Sequence, residues 1–221
     1  MSVEKKLIPA CQDDWQAYVD HSFVQQLAAG TLAMPCYAHY LKQDFLFLKQ
    51  YARAWALAIY KSDSLEQMRA NLPAVQGLLD VEIGLHIDYC AEWGLDEQQL
   101  QAVPEATATV AYTRYVLDCG QSGDQLDLHV ALAPCSLGYA VIGQQLAADK
   151  NTLMEGNPYR AWIEMYSSEG FQTGAQSHLD YLNNLLAELP DDSPRWQRLQ
   201  QIFATATRME VAFWQQGLDA A

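Results

Sequence analysis

Apolar positions along this chain recur at helical spacing, and the strict alternation of a half-buried strand is missing. The segment DDWQAYVDHSFVQQLAAG carries Trp15, Tyr18, Val19, Phe23 and Leu27 on one stripe, and Gly30 reads as the stop of that helix. A longer helix is predicted from about Pro35 to Lys61, with Pro35 in the first turn, where a missing N–H costs little. Ser64 begins a short helix, and Pro73 restarts the chain into AVQGLLDVEIGLHIDYCAEWG, closed by Gly94. Another helix follows Pro104 and stops at Gly120. Asp124 opens the next, which runs to about Asp149 and contains APCSLGYA. NPYRAWIEMYSS predicts a shorter helix, and a further one at about 171–188 ends before Pro190. The last begins with Ser193 as N-cap and Pro194 at the first helical position. Seven or eight main helices with short connections, and no Gly/Ser-rich linker, predict one all-α domain over residues 1–221.

Composition narrows the function classes. Half of the residues are hydrophobic, 50%, which is enough for a substantial core. Lys plus Arg total 13 against 27 Asp plus Glu, a formal charge of -14. That balance repels phosphate backbones, and no basic patch offsets it, so nucleic-acid partners are not expected. Uncharged apolar runs such as WALAIY fall far short of a membrane span, and MSVEKKLIPACQDD lacks an apolar signal region. The expectation is a soluble, cytoplasmic protein with no membrane partner. The cysteines at 11, 36, 90, 119 and 135 are odd in number and form no CxxC pair, which argues against a disulfide framework.

Four positions place polar chemistry on apolar helical faces. Asp44 shares a face with Tyr40 and Phe47, Tyr112 with Tyr115, Cys135 with Tyr139, and Glu210 with Phe213. Each has an ordinary reading. Asp44 is then a solvated acid beside Lys42 and Lys49, Glu210 a surface acid near Arg208, and Cys135 a core filler. Their co-occurrence on different helices points instead to a pocket inside a bundle. Aromatic walls and two carboxylates suit a planar heterocycle with amidine-like donors. Pro134 cannot donate to the carbonyl of Val130, which predicts a local break that turns Cys135 toward such a pocket, with Gly138 leaving room beside it.

Taken in order, HSFVQQLAAGTL, YLKQDFLFLKQYARAWALA, APCSLGYAVIGQQL, YRAWIEMYSS and RMEVAFW resemble the TenA family, thiaminase II, over nearly the whole chain. The resemblance implies a haem-oxygenase-like helical bundle assembled as a homotetramer, acting without metal or cofactor on a small-molecule pyrimidine. It implies hydrolysis of 4-amino-5-aminomethyl-2-methylpyrimidine to the hydroxymethyl pyrimidine and ammonia, and cleavage of thiamine to the same pyrimidine and the thiazole alcohol, in thiamine salvage. By the same resemblance Cys135 is the nucleophile of the cysteine-bearing branch, and Glu210 is the acid/base that works with it. Asp44 holds the amino edge of the pyrimidine, Tyr112, Tyr139 and Tyr166 line the pocket, and Phe47 and Phe213 form stacking walls. FLFLKQ has phenylalanines where several relatives carry tyrosine.

Rival readings rest on other residues. A haem oxygenase would use a helical histidine such as His21, but the cations that hold haem propionates are missing. A di-iron oxygenase would start from Glu82 and His86, four apart, yet such a site needs about six ligands. His39, His129 and His178 show no repeated Glu/His spacing. Glu82 and His86 therefore read as a supporting structural pair. A non-catalytic pyrimidine-binding or regulatory protein is the remaining alternative.

Overall fold

The computed structural model describes residues 2–91 and 93–220, and these contain helices and no strand. In chain order they are α1 (Val3–Lys6), a 3-10 turn (Ile8–Cys11), α2 (Gln12–Val19), α3 (Ser22–Ala28) and α4 (Met34–Tyr60). Next come α5 (Leu65–Gly77), a π-helical turn (Leu78–Glu82), α6 (Ile83–Ala91), α7 (Glu97–Gln101) and α8 (Thr107–Ser122). The last four are α9 (Gln125–Ala148), α10 (Arg160–Ser167), α11 (Glu169–Ala187) and α12 (Arg195–Leu218).

Helix α9 is the axis of the bundle. It packs against α2, α4, α8, α10, α11 and α12. Its sequence is apolar around its whole circumference, which is the pattern of a helix buried on all sides rather than on one stripe. It is long and apolar enough to cross a membrane, a length that reading the short uncharged runs did not reveal, but the surrounding helices bury most of it. Asp124 caps it in a reciprocal box with Asp127, and Arg195 and Arg198 of α12 pair with these acids.

Several expected boundaries moved. The apolar stripe of residues 13–30 is split, because His21 breaks from helical geometry and its Nδ1 accepts the Phe23 N–H at 3.2 Å, starting α3. The two short helices keep the stripe in register, so periodicity alone could not reveal the break. Pro73 does not restart the chain: α5 runs through it into the π turn. Gly120 does not stop α8, which continues to Ser122. Its missing side chain instead lets Leu57 and Leu128 approach, and a Cβ there would sit 2.8 Å from Leu57. The break expected at Pro134 is also not present, since α9 remains α-helical through it. One lost backbone bond is outweighed by packing, because Val130, Ala131, Leu132 and Ala133 are fully buried. Gly138 does leave room, but Tyr18 fills it.

Candidate active site

Six helices and the π turn bring all ten singled-out residues into one cluster. From α4, Asp44 is 2% exposed, and both of its hydrogen bonds converge on Oδ2. The Tyr40 hydroxyl lies at 3.1 Å and His86 Nε2 at 2.7 Å. His86 is held from behind by the Glu82 backbone carbonyl, 2.8 Å from Nδ1. Burial works most strongly against a charge on His86, but the bond to Asp44 and the charges of Asp44 and Glu82 together outweigh it and the net shift is upward. The hydrogen bond between Glu82 and His86 thus runs through the Glu82 backbone, while their side chains act on each other through charge. His86 braces Asp44, while the Glu82 carboxyl accepts the Tyr166 hydroxyl at 2.9 Å.

Glu210 enters from α12 at 1% exposure and accepts the Tyr112 hydroxyl of α8 at 2.8 Å. Arg208 turns away to Asp14 at 3.1 Å, so the surface-acid reading of Glu210 does not hold. Burial pushes the Glu210 carboxyl up to about 8, the Tyr112 bond opposes this, and the charge of Asp44 adds to it. Burial likewise lifts Glu82 to about 7. Burial thus favours the protonated form of both carboxyls, beside a third bound by histidine.

Cys135 projects from α9 into this group and is 9% exposed. Burial raises its thiol far above the ordinary range, and the charges of Glu210, Glu82 and Asp44 add to this. A hydrogen bond with Tyr51 acts in the opposite direction. The aromatic lining is continuous. Phe47 lies 4.9 Å from Tyr112 and 5.4 Å from Phe213, centre to centre. Tyr139 lies 4.7 Å from Tyr166. Phe47 and Phe213 are tilted 56° to each other and in direct contact, rather than facing across a gap. A surface depression of about 700 Å³ between Val19, Gln25, Gln145 and Thr152 contains none of these residues.

Sequence reasoning passed over two members, Tyr51 and Trp162, and placed Tyr40 on the face of Asp44 without giving it a role. Tyr40 bonds Asp44 and accepts the Trp162 indole N–H at 3.1 Å. Tyr51 donates to the Leu132 carbonyl at 2.8 Å and interacts with the thiol. The signal for Tyr51 was present, since it stands four residues after Phe47 and seven after Asp44, on the same helical face. Trp162 carried no such signal. His21 is a helix cap, and no group of three or more potential metal ligands occurs among the described residues. All five cysteines are free thiols.

Residues 8–220 match the TENA/THI-4/PQQC family. The chain belongs to this family. A Haemophilus influenzae protein described as uncharacterized is 46% identical over 217 residues, spanning 98% of this chain and 99% of that one. The aminopyrimidine aminohydrolase of Halalkalibacterium halodurans is 34% identical, spanning 97% of this chain and 94% of its own. Among solved structures, a Silicibacter protein described as a TenA family transcription regulator superposes with a TM-score of 0.92 at 41% identity, covering 98% and 96% of the two chains.

Proposed function

We propose that this TenA-family chain is an aminopyrimidine hydrolase that replaces the 5-aminomethyl amine of 4-amino-5-aminomethyl-2-methylpyrimidine with hydroxyl. Thiamine, which carries the same pyrimidine, is a second substrate. The observation that carries the proposal is the meeting of Cys135 with Glu210, whose burial favours the protonated acid, and with Asp44 in one aromatic-lined cluster. Likeness to proteins named aminopyrimidine aminohydrolase supports it.

Direct displacement at a CH2 on an aromatic ring is slow, and a covalent intermediate divides it into easier steps. The Cys135 sulfur bonds the ring carbon beside the CH2-bearing one, while the thiol proton goes to the adjacent ring nitrogen. Ring electrons then break the CH2–N bond, and the amine leaves as ammonia with the Glu210 proton. Water bonds the CH2 carbon and returns a proton to Glu210. The S–C bond breaks, and the ring-nitrogen proton returns to sulfur. Asp44 presents Oδ1, which takes neither of its internal bonds, to the amino edge of the pyrimidine. Tyr112, Tyr139 and Tyr166 supply hydroxyls, and Phe47 and Phe213 supply apolar wall. The apolar side chains exposed on α5 and the π turn, among them Leu65, Leu72 and Leu79, suit the homotetramer that forms part of this proposal.

The test is incubation with each compound, reading ammonia and hydroxymethyl pyrimidine. Stoichiometric release is expected. Tight pyrimidine binding without either product would replace the proposal with the non-catalytic reading.

A further inference from the structure

A second polar chain, which the proposed reaction does not use, leads toward Cys135. Ser136 Oγ sits 2.7 Å from His178 Nδ1, and His178 Nε2 sits 3.2 Å from His129 Nδ1. Both histidines are buried, at 6% and 0% exposure. Trp55 packs edge-on against both rings, and Tyr181 lies 4.8 Å from His129. At the other end, Ser136 acts on the Tyr51 hydroxyl, which in turn acts on the Cys135 thiol. Four side chains from α4, α9 and α11 thus form a file ending at sulfur. None of their contacts is local in sequence apart from the Cys135–Ser136 neighbours.

The direction of the file follows from its far end. His129 Nε2 is buried and has no hydrogen-bond partner. Both imidazoles are neutral, because burial pushes His129 down to about 3 and His178 far below its ordinary value. Each therefore carries one proton. If hydrogens pointed away from sulfur, His129 would leave an N–H orphaned in an apolar site. If they point toward sulfur, Nε2 is a bare lone pair, and buried orphan donors are the rarer defect. The favoured arrangement is His129 Nδ1–H to His178 and His178 Nδ1–H to Ser136, which leaves the Ser136 O–H, at a long 3.4 Å from the Ala133 carbonyl, to turn to Tyr51. At rest Tyr51 donates to the Leu132 carbonyl. Once the thiol ionises, its hydroxyl is free to turn to sulfur, with its own oxygen already receiving Ser136.

The charges near sulfur give the file its purpose. The ionisable groups that act most strongly on Cys135 are Glu210 from α12, Glu82 from the π turn, and Asp44 and Tyr51 from α4, while His86 of α6 faces Asp44. The acids closest to sulfur oppose a thiolate, so aligned dipoles on its other contacts help to stabilise it. Hydrogen bonds in series polarise one another and strengthen the last.

We propose that Ser136, His178 and His129 are positioning residues that aim the Tyr51 hydroxyl at Cys135 and so favour its thiolate. This rests on Cys135 being the nucleophile. The test uses the full chain with Ser136→Ala, His178→Leu and His178→Asn, alongside Cys135→Ser. The asparagine amide offers a donor near the place of Nδ1. Cys135 alkylation by iodoacetamide is followed by mass spectrometry between pH 6 and 10, with kcat and KM on the aminopyrimidine.

Ser136→Ala and His178→Leu are expected to slow alkylation at a given pH and lower kcat by about tenfold each. KM should stay within about twofold, and His178→Asn should recover part of the loss. Thermal unfolding identifies any variant that fails to fold, and Ser136→Ala, a small change at a half-buried position, keeps the test decisive. Unchanged alkylation and kcat in folded Ser136→Ala and His178→Leu, with Cys135→Ser inactive, would overturn the positioning role and leave the nucleophile intact. Turnover by Cys135→Ser would overturn the nucleophile itself.

Discussion

Glu210→Gln separates the cost of the site from its benefit. The carboxyl is 1% exposed and is pushed from its ordinary 4.5 up to about 8, chiefly by burial. A group whose folded pKa is raised keeps its proton in the fold while the unfolded chain loses it. Its contribution to stability is therefore complete below about pH 4.5 and declines as pH rises to about 8, where it levels off. Across that window the loss is on the order of 5 kcal/mol, as an upper figure. For a chain of this size that corresponds to a fall in Tm of about 10 °C or more. Glutamine mimics the protonated acid, keeps an acceptor for Tyr112, and does not titrate. Thermal unfolding of both proteins at pH 5 and pH 8.5 should give similar Tm values at the lower pH and a higher Tm for Glu210→Gln at the upper, together with loss of turnover. Parallel Tm–pH curves for the two proteins would refute the claim that Glu210 is a buried, protonated acid.

Three further outcomes follow from packing and hydrogen bonding. Gly138→Ala should destabilise by about 1–3 kcal/mol in chemical denaturation, since overpacking carries that penalty. The new Cβ would lie 2.0 Å from Tyr18 Cε1, and Tyr18 is fully buried. Asp44→Asn should raise the Kd for the hydroxymethyl pyrimidine by about tenfold or more in calorimetry, because it removes a charge-assisted bond to the ligand. It also changes what His86 faces at 2.7 Å. Elemental analysis of purified protein should find iron well below one atom per chain, since no ligand cluster for it occurs among the described residues.

The all-α architecture was legible because apolar spacing survives even where helices break. Ser64 and Asp124 cap helices where expected. Three of the misplaced boundaries share one cause. At Pro73, Gly120 and Pro134, local preference argues for a stop, and tertiary burial carries the helix onward. Sequence cannot weigh those terms without knowing what packs where.

The candidate site was legible to a different depth. Asp44, Cys135 and Glu210 stood out as polar residues on apolar faces, and the fold brings them together. Tyr51 was hidden among many tyrosines at helical spacing, the usual signature of core. The file from His129 to Ser136 was unreadable, because its members lie up to 49 positions apart and only the packing of α9 on α11 joins them.

The most direct test of the central claim is ammonia release from 4-amino-5-aminomethyl-2-methylpyrimidine by the wild-type chain and by Cys135→Ser. The account predicts steady release by the first, release at no more than about a thousandth of that rate by the second, and pyrimidine binding by both. Near-normal release by Cys135→Ser would contradict it.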